Sequence, residues 1–139
     1  MRTMLISATL FASAALAADI SPGSWEITME TRVPAEPAFA PPPFSIRQCL
    51  TDADARDPSR ILGGVSNPGA TGCNYTNASQ TDNNFSFEMQ CAGTYGIKAK
   101  GNVAFTADTM EGMIDSTANI GGKEVQQTNK LSARRLGGC

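Results

Sequence analysis

The sequence contains no histidine, only four cysteines and one tryptophan, and charged residues fill 17% of its 139 positions. Without an imidazole, Ser-His and Cys-His nucleophile pairs are excluded. The cysteines, at positions 49, 73, 91 and 139, also lack the paired C-x-x-C spacing of a zinc site, so no metal is expected. A formal charge of −2 with no basic block argues against nucleic acid as a partner. Gly63-Gly64 and Gly121-Gly122 lack the neighbours that a P-loop or dinucleotide fingerprint requires, so no cofactor is expected either. Glu26, Glu30, Glu88, Glu111 and Asp115 fall on the polar sides of their strands, where solvated carboxylates do no acid-base work. These absences together point away from an enzyme.

What is present begins with an address. Arg2 supplies a positive n-region, Met4 to Leu16 is an apolar run too short to span a membrane, and Ala15-Leu16-Ala17 fits a small-x-small cleavage site. Residues 1–17 therefore read as a signal peptide and 18–139 as a single β domain. No cysteine follows the cleavage site, which disfavours a lipid anchor, and no later stretch is apolar enough to cross a bilayer. The mature chain is expected to be soluble and exported. An even number of cysteines in an exported chain reads as two disulfides.

The pattern from Cys73 to Cys91 is a hairpin. Phe85, Phe87, Met89 and Cys91 alternate with polar residues, and the turn-forming run Thr81-Asp82-Asn83 precedes them. Folding symmetrically about Asp82 sets Ser79 against Phe85, Asn77 against Phe87, Tyr75 against Met89 and Cys73 against Cys91. This register pairs Cys73 with Cys91 and leaves Cys49 for Cys139.

Trp25, Ile27, Met29, Thr31 and Val33 form the apolar face of a first strand after Pro22-Gly23. Trp25 serves there as a core anchor or as a ligand-stacking platform. Five prolines in the ten residues 34–43 rule out a helix. This loop is a stiff connector or an exposed recognition arm with Phe39 at its tip. A short strand from Phe44 to Leu50 follows, with Cys49 opposite the apolar face. Thr51-Asp52-Ala53-Asp54 then caps one helix, roughly Asp52 to Leu62, whose regularity Pro58 limits. Its aspartates suit the helix dipole and lack the glycine and glutamate of a calcium loop. A turn at Asn67-Pro68-Gly69 leads into the hairpin.

Beyond Cys91 the chain becomes a meander. Ile97, Ala99, Gly101, Val103 and Phe105 face inward, then Met110, Gly112, Ile114, Ser116 and Ala118. Inward glycines mark close approach or a bend. A Gly121-Gly122 turn sets Ala118 by Val125, Ser116 by Gln127, Ile114 by Asn129 and Gly112 by Leu131.

Pro22-Gly23-Ser24-Trp25-Glu26, Arg47-Gln48-Cys49-Leu50-Thr51, Met89-Gln90-Cys91 and the closing Arg134-Arg135-Leu136-Gly137-Gly138-Cys139 resemble, in that order, the bacterial exported family catalogued as domain of unknown function 3617. The resemblance spans essentially the whole mature chain and implies a periplasmic protein. The loop after the first strand is often methionine-rich in that family; here it carries Phe39 and no methionine, which speaks against copper bound through thioethers.

The fold expected is all-β: a single antiparallel, strongly curved meander sheet or barrel of about seven strands, one short helix after the second strand, and two disulfides. A bond from Cys49 to Cys139 places the last strand beside the first, giving the order 2-1-7-6-5-4-3. Trp25 would then share an interior face with Ser116, Gln127 and Asn129. Either these polar groups satisfy one another and the backbone, or they face a cavity. The function expected is non-catalytic binding of a small hydrophobic or amphipathic ligand or an envelope component. The alternative is an interaction or structural envelope protein acting through its Pro-rich loop and exposed strands.

Overall fold

A computed structural model describes residues 19–64 and 72–139; the signal-peptide reading and the Asn67-Pro68-Gly69 turn lie outside the described residues. The strands are β1 (Gly23–Arg32), β2 (Phe44–Leu50), β3 (Cys73–Thr81), β4 (Asn84–Cys91), β5 (Lys98–Phe105), β6 (Thr109–Ile120) and β7 (Lys123–Gly137), with α1 (Asp52–Arg56) and α2 (Pro58–Gly64) between β2 and β3. They form one seven-stranded antiparallel sheet in the order β2-β1-β7-β6-β5-β4-β3, the order required by the cysteine pairing. The sheet is open: β2 and β3 are its edges and do not pair.

Period-two alternation gives the sheet one apolar face, here called inner. In β5 it is clearest, with Ala99, Gly101, Val103 and Phe105 buried and the residues between them exposed. At one end of this face Trp25 and Ile27 of β1, Leu131 and Ala133 of β7, Met110 of β6, Val103 and Phe105 of β5, and Phe85 and Phe87 of β4 form the core. The helices cover it as the chain passes from the β2 edge to the β3 edge. Leu50 and Ile61 join the core, and the Tyr75 hydroxyl donates to the Ser59 carbonyl at 2.8 Å, fastening α2 to β3.

The helical stretch is two short helices rather than one. Thr51 and Asp54 form a reciprocal capping box at the start of α1. Pro58 has no N–H for a continuing helical ladder, so the helix stops at Asp57 and a new one starts at Pro58, the position where proline is tolerated. The Asp57 carboxylate accepts from the Ser59 backbone N–H at 3.1 Å in this second start.

Both cystines form as the register argument requires. Cys73 faces Cys91 directly across β3 and β4. Cys49 bonds Cys139, and Ser24 of β1 lies between their strands, pairing with Cys49 on one side and with Gly137 on the other. The hairpin register differs from expectation toward its turn. It shifts between Tyr75 and Asn77, so that Ala78 faces Phe87 and Gln80 faces Phe85. A bulge at Thr76 thus turns Asn77 and Ser79 to the outer face. The β6–β7 hairpin keeps the expected register throughout, because Gly121 and Gly122 take φ of 59° and 80°, as a two-residue primed turn demands.

Candidate functional site

Trp25, Ser116, Gln127 and Asn129, expected to share an interior face, occupy two separate places on it. Trp25 is fully buried at the helix-covered end, its indole N–H donating to the Ser21 carbonyl at 2.9 Å. Thr31, next to Asn129 across β1 and β7, lies six residues farther along β1, about 20 Å at roughly 3.3 Å per residue. The structure therefore brings Ser116, Gln127 and Asn129 together and leaves Trp25 apart as a core residue. Periodicity assigns a face but not a distance along it.

Asn129 is 6% exposed and satisfied within the protein. The Thr31 hydroxyl donates to its Oδ1 at 2.8 Å, while its Nδ2 donates to the Ile114 carbonyl at 3.2 Å and to Ser116 Oγ at 3.3 Å. This closed network ties β1, β7 and β6 together. Gln127, directly opposite Ser116, is only half-buried and turns toward open space.

That space exists because the strands differ in length. β6 and β7 stay paired out to Ile120 and Lys123, whereas β1 stops pairing with β7 at Arg32 and Thr128. Beyond that point the chain bends away through two turns, in which the Glu36 N–H donates to the Val33 carbonyl at 3.0 Å and the Phe39 N–H to the Glu36 carbonyl at 2.9 Å. A groove of about 550 Å³ lies between this loop and the β6–β7 hairpin. Val33, Phe39, Ile120 and Val125 give it apolar walls, and Glu36, Lys123 and Gln127 give it polar groups. Phe39 is 57% exposed and Ile120 47%, so apolar surface lies open to solvent there. Sequence reasoning missed Val33, Ile120, Lys123 and Val125 as groove residues, although the longer alternation of the last two strands relative to the first signals the overhang.

The outer face is polar. Asn102 bonds Asn84 and Ser86, and Glu88, Lys100 and Asp115 stand in one cross-strand row. Among the described residues, no helix is long and apolar enough to cross a membrane, and no group of three or more His, Cys, Asp or Glu is placed to hold a metal ion.

These features define a cystine-tied open meander sheet, half covered by a helical connection, with a groove at its uncovered end. The profile of the family described as "Protein of unknown function (DUF3617)" matches residues 20–139, and the chain belongs to that family. No curated protein and no solved structure matches it.

Proposed function

We propose that this is a soluble periplasmic, non-catalytic binding module that takes an apolar or amphipathic ligand or envelope component in the groove between the Pro-rich loop and the β6–β7 hairpin. The observation that carries this reading is the groove itself: apolar walls, a few polar groups and an exposed phenyl ring on a proline-stiffened loop. Two cystines suit an oxidising compartment, and the N-terminal pattern supplies the route there. The half-buried Gln127 orients a ligand, and Phe39 covers it.

Native mass spectrometry of protein purified from its own periplasm tests the proposal. The wild type is expected to begin at Ala18 and to retain a ligand or partner that Phe39→Ala and Gln127→Leu both lose while remaining folded. Retention unchanged in both variants would place binding elsewhere, and a wild type retaining nothing would sink the reading.

A further inference from the structure

We infer that the groove recognises an extended peptide segment, which adds as a short strand to the free edge of β7. The inference rests on the proposed groove function and names the class of its occupant. β7 is paired on both sides from Thr128 to Arg134, but over Lys123–Gln127 it is paired with β6 alone. In a two-residue hairpin the residues flanking the turn, here Ile120 and Lys123, exchange backbone hydrogen bonds, and the pattern then alternates. The N–H and C=O groups of Glu124 and Gln126 therefore point away from β6, toward the groove. Both residues border the groove even though the pleat turns their side chains to the outer face. Among the described residues, no backbone bond joins Lys123–Gln127 to the loop.

The protein's own loop is unsuited to fill this edge. Pro34, Pro37 and Pro41–Pro43 carry no N–H, and the turn from Val33 to Glu36 lifts the chain away where the β1 ladder ends. What remains is a row of backbone donors and acceptors beside an apolar wall. An incoming strand would bond Glu124 and Gln126 and lay alternate side chains against Val125, Val33 and Phe39, the arrangement of β-strand addition. Lys123 and Glu36 both line the groove and complement a peptide carrying both signs of charge. A lipid chain would use the wall and leave the backbone groups unmet.

The test uses the mature protein and a capped synthetic peptide of alternating Val and Thr with Lys at one end and Glu at the other. Two further copies are N-methylated at alternate residues, one in each phase. Binding is expected to slow amide exchange at Glu124 and Gln126. One N-methylated phase should bind about tenfold more weakly, as the loss of one or two backbone hydrogen bonds implies. Gln126→Pro, which removes a donor that β6 does not use, should weaken the unmodified peptide by a similar factor. If that variant misfolds, the N-methylated peptides on the wild type still decide. Equal binding of all three peptides, or binding that leaves Glu124 and Gln126 unprotected, would overturn strand addition and leave the groove as a binding site of another kind. No perturbation of groove residues at millimolar peptide would overturn it too. Protection of those amides through self-association alone would assign the edge to a second copy of the chain instead. Retained ligand unaffected by Phe39→Ala and Gln127→Leu would remove the groove reading beneath both.

Discussion

Trp25 has a fully buried ring and one hydrogen bond, to the Ser21 carbonyl, so its loss both opens a cavity and leaves an acceptor unmet. Trp25→Ala is expected to cost about 3 to 5 kcal/mol in urea unfolding, or to prevent accumulation of folded protein; unchanged unfolding would contradict the core role. Tyr75 makes a pH prediction. Burial, and secondarily the charge of Asp57, raises its folded pKa above the usual tyrosine value. The folded state thus holds the proton after the unfolded chain has released it. Its contribution is complete below the unfolded value of about 10 and falls as pH rises through the folded value. Tyr75→Phe should cost about 1 kcal/mol at neutral pH, through the bond to Ser59, and should abolish this alkaline loss; stability curves against pH that remain parallel would refute it. The core face of β1 was legible in sequence because Trp25, Ile27 and their neighbours alternate without a break. Asn77 and Ser79 were misplaced because β3 is polar on both faces there, and nothing apolar penalises a one-residue slip.

At the scale of elements, glycines in β5 and β6 stand where a side chain would collide with a neighbouring strand. A Cβ on Gly101 would lie 2.6 Å from the Phe87 ring, and one on Gly112 would lie 2.6 Å from the Asn102 carbonyl oxygen. Gly112→Ala should therefore destabilise by about 1 to 3 kcal/mol, and Gly101→Ala by less, because a phenyl ring can turn aside and a backbone cannot. Matched urea titrations of the two variants check the ranking. The register of β6 with β7 was readable because turn chemistry and alternation agree at every pair. The division of the helix at Pro58 was half readable: proline signals an irregularity, but only the Asp57 cap shows that a second helix starts there. The groove was only half readable: the longer alternation of β6 and β7 signals an overhang, but where β1 stops relative to β7 depends on the loop that follows.

For the whole molecule, the strand order followed from one covalent constraint. Joining Cys49 to Cys139 across 90 residues places β7 beside β1, and the hairpin connections then dictate the rest. On loop-closure entropy this bond stabilises by about 4 to 5 kcal/mol and the Cys73–Cys91 bond by roughly 3. Replacing Cys49 and Cys139 by serine should accordingly lower the urea midpoint more than replacing Cys73 and Cys91. The reverse ranking would show that native-state effects outweigh the chain-entropy term. The position of β7 also has a consequence in time. β1 ends at Arg32, but its neighbour β7 starts only at Lys123, so their pairing closes a loop that holds most of the chain. Until that loop closes, the β1–β2 hairpin and the β3–β6 meander exist as separate parts, each lacking the strand that joins them. Such non-local pairing makes folding slow, and the period before β7 inserts is when the chain most needs a chaperone.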